Sequence, residues 1–129
     1  MNERYALDTN VVIALLRFTP AIVSKIQYAR ITFVPSIVLG ELYFGAYKSD
    51  QVSKNVEYAD SVATNNPILV CDAATARIYG SIKNALRIKG QPIAENDLWI
   101  AALAIQHDLT LLTRDAHFAR VENARIEQW

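Results

Sequence analysis

Cysteine is nearly absent from the sequence, and neither sign of charge is in excess. Cys71 is the single cysteine among 129 residues, which excludes an intramolecular disulfide and argues against a soft-metal site. Lys and Arg together number 13, as do Asp and Glu, so no overall positive field attracts nucleic acid. The segment 72–90 is nevertheless locally basic, and it carries Arg77, Lys83, Arg87 and Lys89.

Long hydrophobic runs are also missing. No apolar run approaches the roughly 18 residues that span a bilayer, and the N-terminus carries Glu3 and Arg4 where a signal peptide would have its apolar core. We therefore expect a cytoplasmic protein without a membrane segment. Only four glycines and four prolines accompany 52% hydrophobic residues, which argues against disorder. With no repeat or linker-like stretch, one domain is expected over residues 1–129.

Strand-like and helix-like segments alternate along the chain. Short β-prone segments cover 4–7, 31–34, 68–71, 109–113 and 125–128. Helical spacing of apolar residues lies between them, with terminal signals at Thr19-Pro20, Pro35-Ser36, Asp72 and Gly90. The second helix is expected to run from Pro20 to near Arg30, and the last from Leu98 to about Gln106. The alternation predicts an α/β protein: a three-layer α/β/α sandwich around a parallel sheet of four to five strands.

Acidic residues stand where the predicted strands end or the following helices begin. They are Asp8, Glu41, Asp97 and Asp115. The carboxyl ends of parallel strands share one edge of the sheet, so these side chains are expected to reach it together. Two unit charges about 4 Å apart at an effective dielectric of about 20 repel by on the order of 4 kcal/mol. Mg²⁺ or Mn²⁺ would compensate this repulsion, and either could activate water for phosphodiester hydrolysis.

Each acid also has a purely structural interpretation. Asp8, Asp97 and Asp115 could cap helices or turns, where Asp is favoured. Glu41 lies in an apolar run, so its structural alternative is a salt bridge. Glu95 is either a further acid near the metal or a partner of the helix dipole.

Histidines and aromatic residues give weaker indications. His107 and His117 lack a cluster of metal-binding partners, and we interpret them as a helix-end residue and a surface or packing residue. Tyr43, Phe44 and Tyr47 follow Glu41 on the predicted third helix. They either pack in the core or form an aromatic surface for a second subunit, a partner peptide or RNA.

Four blocks of the sequence form a recognisable pattern when taken together. They are Asp8-Thr9-Asn10-Val11-Val12-Ile13, Pro35-Ser36-Ile37-Val38-Leu39-Gly40-Glu41-Leu42, Asn96-Asp97-Leu98-Trp99-Ile100-Ala101-Ala102 and Thr113-Arg114-Asp115-Ala116-His117-Phe118. In order and spacing they resemble the PIN domain and, more narrowly, the VapC-type toxins of type II toxin-antitoxin systems. The resemblance covers nearly the whole chain.

The resemblance implies an endoribonuclease that depends on Mg²⁺ or Mn²⁺ and has a PIN-like fold. The implied catalytic and metal-binding acids are Asp8, Glu41, Asp97 and Asp115. Supporting residues around them are expected at Asn10, Ser36, Thr113 and Glu95. The implied partners are an RNA substrate, a VapB-like antitoxin and a second toxin subunit, with toxin and antitoxin joined in a hetero-oligomer. Contacts to the RNA backbone are expected from Arg77, Lys83 and Arg87.

Two other functions compete with this interpretation. A catalytically silent PIN-like module could hold RNA or protein, but its usual sign is the loss of one or more acids. Another metal-dependent phosphoryl-transfer enzyme, such as a phosphatase or DNA nuclease, is the third possibility, although the sequence has no Gly-x-x-x-x-Gly-Lys loop. The presence of all four acids favours the ribonuclease.

Overall fold

A computed structural model describes residues 4–27, 29 and 31–128. Its strands are β1 (Arg4–Leu7), β2 (Ile31–Pro35), β3 (Ile68–Leu69), β4 (Thr110–Thr113) and β5 (Arg125–Gln128). They form one sheet in the order β3-β2-β1-β4-β5, and every neighbouring pair is parallel. The predicted parallel sheet is confirmed with five strands, and β1 is its central strand.

Helices connect the strands and flank the sheet. They are α1 (Thr9–Leu16), α2 (Pro20–Gln27), α3 (Ser36–Tyr47), α4 (Val52–Asn65), α5 (Ala73–Lys89) and α6 (Glu95–Gln106), with a 3-10 helix at Ala116–Arg120. Parallel strands require such crossovers, so the three-layer α/β/α arrangement follows from the strand order. The predicted end of the second helix near Arg30 lies outside the described residues.

The start of α6 differs from the prediction. The helix begins at Glu95 rather than Leu98, because Ala94 holds an extended conformation (φ −58°, ψ 147°) and serves as its N-cap. Glu95 and Asp97 therefore lie in the first helical turn, where the helix dipole favours negative side chains. The side chain of Ala94 makes no capping hydrogen bond, so this start leaves no capping signal in the sequence.

Strand β3 is shorter than expected. It pairs with β2 only through Val34 with Ile68 and Pro35 with Leu69, since β2 turns into α3 after Pro35. Val70 and Cys71, predicted to continue the strand, have no partner strand beside them and are exposed.

The termini of α5 confirm two predictions. Asp72 is the N-cap, and its Oδ1 accepts a hydrogen bond of 3.1 Å from the backbone N–H of Thr75. Gln106 of α6 donates a further hydrogen bond of 3.0 Å to Asp72. At the other end, Gly90 adopts the left-handed conformation with φ 68°.

The carboxyl edge of the sheet gathers three chain segments. Because β1 lies between β2 and β4, the residues that follow these strands emerge side by side. Beneath them, α6 packs on the sheet through Ile100 and the run 101–104, all 0% exposed. This core supports the edge at which Asp8, the start of α3 and the loop after Thr113 meet.

In the described part of the chain, no single helix has the length and apolar composition of a span. Helices α1 and α2 meet these criteria only when taken together, and they are bent by 103° at the break between them.

Replacing either of two exposed glycines by alanine should change the stability of the protein, in opposite directions. Gly80 lies inside α5, and Gly90 is the C-cap of that helix. Gly90→Ala places a Cβ on a left-handed residue and is expected to destabilise the protein by about 1 kcal/mol. Gly80 lies inside α5, where an added Cβ meets no atom within 4 Å. Gly80→Ala is therefore expected to stabilise the protein by about 0.5–1 kcal/mol. Urea unfolding measures both changes, and shifts of the same sign in both variants would contradict the left-handed cap.

Candidate active site

Asp8 occupies the end of the central strand and is only 5% exposed. Its Oδ1 accepts a hydrogen bond of 2.8 Å from the backbone N–H of Thr9, so it caps α1 as the structural interpretation proposed. Its Oδ2 accepts hydrogen bonds from Thr113 Oγ1 at 2.6 Å and from Asn10 Nδ2 at 3.2 Å. Capping therefore uses only Oδ1 of Asp8. Oδ2 is held by Thr113 and Asn10, which the sequence analysis predicted as supporting residues.

Thr113 and Asn10 also fix the loop that follows β4. Thr113 Oγ1 accepts a hydrogen bond of 2.9 Å from the backbone N–H of Asp115. Asn10 Oδ1 accepts a hydrogen bond of 3.0 Å from the backbone N–H of Arg114. Thr113 is fully buried, so this network holds Asp115 in a defined position relative to Asp8.

Glu41 reaches the site from the second turn of α3. Its Oε1 accepts a hydrogen bond of 2.6 Å from Thr9 Oγ1. Within the described residues no Lys, Arg or His forms an ion pair with Glu41, so the salt-bridge alternative is wrong there. Thr9 was not predicted to take part. Its position between Asp8 and Asn10 in the first sequence block was the only available signal.

Asp97 is half-buried in the first turn of α6 and is not the N-cap, so the capping interpretation fails for it. The pKa of Asp97 is raised to about 6. Burial is the largest cause, the charges of Asp8, Asp115 and Glu41 contribute in that order, and His117 acts in the opposite direction. In the described residues the carboxyl group of Asp97 accepts no hydrogen bond and forms no ion pair that would offset these effects. Asp97 is therefore a carboxyl group kept near other carboxylates at an energetic cost.

The pKa of Asp8 is raised as well. Burial is the largest cause, and the hydroxyl of Thr113 and the backbone N–H of Thr9 oppose it. The charges of Glu41 and Asp115 add to the increase. Asp8 and Asp97 are thus both perturbed by the same neighbouring acids. The structure brings together all four acids that the sequence placed at the carboxyl edge.

Asp115 and His117 form one wall of an open cleft beside Asp97. Asp115 caps the 3-10 helix by accepting a hydrogen bond of 2.9 Å from the backbone N–H of His117, and His117 Nδ1 lies 2.7 Å from Asp115 Oδ1. His117 is on the surface, as one of its two interpretations proposed, and His107 is the exposed C-cap of α6. The cleft measures about 350 Å³, and Arg120 also lines it.

Two of the predicted supporting residues, Glu95 and Ser36, do not support the acids by hydrogen bonds. Glu95 contacts α5, where Lys83 Nζ lies 3.2 Å from its Oε2 and the hydroxyl of Tyr79 donates to its Oε1. Ser36 was expected to cap α3, but Pro35 is the N-cap and Ser36 is the first helical residue. Neither Glu95 nor Ser36 is hydrogen-bonded to one of the four acids.

The predicted RNA-contacting residues lie on α5. Arg77 and Arg87 are exposed, and Arg87 donates a hydrogen bond of 2.9 Å to Asn84. Lys83 is committed to Glu95. None of the three lines the cleft that contains Asp97 and Asp115.

The aromatic residues after Glu41 face outward. Phe44 is 66% exposed and Tyr47 is 64% exposed, so core packing is wrong for both. Tyr43 is half-buried, and its hydroxyl donates a hydrogen bond to Asp60. Together with Lys48, which lies 4.9 Å from the ring of Phe44, they form an aromatic surface on α3.

The donor set suits a hard divalent cation. Its oxygens come from carboxylates, and Asp8, Glu41 and Asp97 form no ion pair within the described chain. In the same residues no three Asp, Glu, His or Cys side chains are placed to hold an ion directly between them. Mg²⁺ fits such a site, because it usually keeps several waters and takes only one or two carboxylates from the protein.

Comparison with known proteins agrees with this geometry. Residues 5–124 match the PIN domain. The chain is 36% identical to ribonuclease VapC2 of Haemophilus influenzae and 30% identical to the tRNA(fMet)-specific endonuclease VapC of Shigella flexneri, covering 98% of both proteins in each case. Its fold matches VapBC2 of Rickettsia felis, solved with a DNA fragment from their promoter, with a TM-score of 0.90, 30% identity and 98% coverage of both chains.

The cost of keeping Asp97 charged predicts a pH-dependent stability. Its pKa is about 6 in the folded protein and 3.8 in an ordinary environment, so the folded state holds the proton more tightly. The contribution of Asp97 to stability therefore falls as pH rises from about 4 to about 6, and the loss persists above that range. Asp97→Asn removes the charge. At pH 8 without divalent metal this variant should melt at a higher temperature than the parent, and the difference should shrink toward pH 4.

The matched control is Asp50→Asn, which changes an exposed acid outside the site. Its melting temperature should follow that of the parent at every pH. An Asp97→Asn variant that is less stable than the parent at pH 8 would contradict the proposed repulsion.

Proposed function

Because this chain belongs to the PIN-domain family and, within it, to the VapC ribonucleases, we propose that it is an endoribonuclease and the toxin of a type II toxin–antitoxin system. The observation that carries the proposal is the cluster of acids at one sheet edge. There the charges of Glu41 and Asp115 raise the pKa of both Asp8 and Asp97, and the charge of Asp8 also raises the pKa of Asp97. We assign the activity to a single cytoplasmic domain over residues 1–129.

The metal would be held by the acids that converge on the carboxyl edge. Asp8 and Asp97 are the proposed direct ligands, Glu41 is a ligand or orients water, and Asp115 is the fourth acid. Bound there, Mg²⁺ or Mn²⁺ would supply charge neutralisation and water activation for phosphodiester hydrolysis.

The protein's own contribution is the positioning of these oxygens. Thr113 and Asn10 hold Asp8 Oδ2, which fixes the direction of the carboxylate, and Thr9 does the same for Glu41 Oε1. Each carboxylate keeps an oxygen or a lone pair directed away from these bonds. Asp97 makes no such bond, so it is the acid whose charge depends most on a bound cation.

RNA is the proposed substrate. The Shigella flexneri relative is named a tRNA(fMet)-specific endonuclease, which makes initiator tRNA the first molecule to test on this chain. Sequence-specific recognition of RNA usually involves unstacked bases. An exposed single-stranded loop is therefore the expected cleavage site, and the open cleft beside Asp97 and Asp115 leaves room for an unpaired strand.

A VapB-like antitoxin and a second toxin subunit are the proposed partners. The similarity to VapBC2 of Rickettsia felis supports the first. The aromatic surface on α3 supports protein contact in general, because exposed Phe44 and Tyr47 offer large apolar area next to Glu41. A toxin dimer and a toxin–antitoxin hetero-oligomer would both cover such a surface.

Replacing Asp8 by asparagine tests the proposed chemistry. Asp8→Asn keeps the shape of the side chain and an oxygen that can accept from Thr113, so the protein should fold. Cleavage of RNA with Mg²⁺ present should fall by at least about 100-fold, which corresponds to about 3 kcal/mol of lost transition-state stabilisation. A gel assay of RNA cleavage over time, repeated with a chelator, gives the rates.

Asp50→Asn is the control and should cut at the parent rate. The assignment is wrong if purified Asp8→Asn cuts RNA as fast as the parent with Mg²⁺ present. Running DNA and a phosphomonoester beside the RNA separates the alternatives. Cleavage of neither polymer would favour a silent binding module, and preference for DNA or the monoester would favour a different phosphoryl-transfer enzyme.

A further inference from the structure

An arginine lies in the acidic cleft without being used to neutralise it. Among the described residues that line the cleft beside Asp97 and Asp115, Arg120 is the only lysine or arginine. It forms no ion pair with a carboxylate of the described chain. By contrast, Lys83 and Arg125 are both paired with acids elsewhere on the surface. Among its described lining residues, the cleft thus combines the two acids Asp97 and Asp115 with one arginine that remains available to a ligand.

The position of Arg120 is fixed by its surroundings. It is the last residue of the 3-10 helix that Asp115 caps, and the same helix buries Phe118 completely. Val121, the next residue, is 4% exposed. Arg120 itself is half-buried, and its Nη1 donates a hydrogen bond of 2.9 Å to the carbonyl oxygen of Pro92. One guanidinium nitrogen is anchored in this way, and the remaining donors have no protein acceptor in the described residues.

A polyanionic substrate needs such a cation beside the acids. The four carboxylates repel the phosphates of an approaching RNA strand, and a guanidinium offers five donors in a planar fork that suits phosphate oxygens. On the basis of the proposed ribonuclease function, we propose that Arg120 binds a backbone phosphate next to the one that is cut and so positions the strand over Asp97 and Asp115.

The surface next to Arg120 indicates the direction in which a bound RNA strand would continue. Pro92 and Ile93 line the acidic cleft and also line a second cleft, on the side of α5 that carries Lys83 and Arg87. Arg120 therefore lies in the cleft that contains Asp97 and Asp115. The basic face of α5 lies on the other side of residues 92–93. A strand bound by Arg120 would pass from the acids toward the segment that the sequence identified as basic.

The competing explanation is that Arg120 only ties the loop before α6 to the 3-10 helix through Pro92. RNA binding under varied salt distinguishes the two, because a lost phosphate contact changes the salt dependence and a loosened loop does not. The test uses the full chain carrying Asp8→Asn, so that the probe is not cut. The probe is a fluorescein-labelled single-stranded RNA whose sequence the parent cleaves, and binding is followed by anisotropy over a series of KCl concentrations.

Adding Arg120→Gln should raise the Kd by about 10-fold and lower the slope of log Kd against log [KCl] by about 0.7, the value expected for one phosphate contact on a single strand. Arg120→Lys keeps the charge and should retain most of the slope. Arg125→Gln is the matched control, since Arg125 is paired with Asp108 outside the cleft, and it should leave both quantities unchanged.

Equal slopes for Arg120→Gln and its Asp8→Asn background would overturn the proposal, whatever happens to the melting temperature. An Arg120→Lys variant as impaired in slope as Arg120→Gln would do the same. If the parent itself neither cuts nor binds any RNA offered, the proposed function has failed, which is a different result from intact cleavage that is indifferent to Arg120.

Discussion

A carboxylate buried at the end of the central strand is the constraint on which the rest of the site depends. Asp8 is 5% exposed, and burial alone disfavours its charged form. The parallel order β2-β1-β4 places Thr113 beside it, and the turn into α1 adds the backbone N–H of Thr9 and the amide of Asn10. The donors Thr113 and Thr9 favour the charged form of Asp8 and so oppose the effect of burial on its pKa. They also join β1, β4 and the 3-10 helix into one unit, so the oxygens of the site are positioned before any ligand arrives.

The acids then divide into two kinds. Asp8, Glu41 and Asp115 each accept at least one hydrogen bond from the protein, whereas Asp97 accepts none in the described chain. The pKa of Asp97 is accordingly raised to about 6, first by burial and then by the charges of Asp8, Asp115 and Glu41. Unpaired charges held together in this way lower the stability of the folded protein. Such a loss of stability is common at catalytic sites, because the same charges are needed for activity. A divalent cation would offset these charges, and the guanidinium of Arg120, which forms no ion pair in the described chain, would bind the negative substrate at the rim of the cleft.

Much of this arrangement could be predicted from the sequence. The exceptions depend on backbone conformation or on tertiary contacts, which leave no local pattern in the sequence. The alternation of strands and helices predicts the parallel sheet, and acids directly after strands predict a common edge, because both rest on local periodicity and on the geometry of parallel strands. The start of α6 could not be predicted, since Ala94 caps it by backbone conformation alone. The bond from Thr9 to Glu41 and the entry of Arg120 into the cleft depend on tertiary contacts. The locally basic segment indicated Lys83 as a contact to the RNA backbone, but Lys83 forms an ion pair with Glu95.

The central claim is that Asp97 is held near other carboxylates in a pocket that a divalent cation makes tolerable. Titrating the side-chain carboxyl of Asp97 by NMR, first without divalent metal and then with saturating Mg²⁺, tests this most directly. The account predicts a pKa of about 6 without metal and a large decrease when Mg²⁺ is added. A carboxyl group that titrates near its ordinary value of 3.8 and does not respond to Mg²⁺ would contradict it.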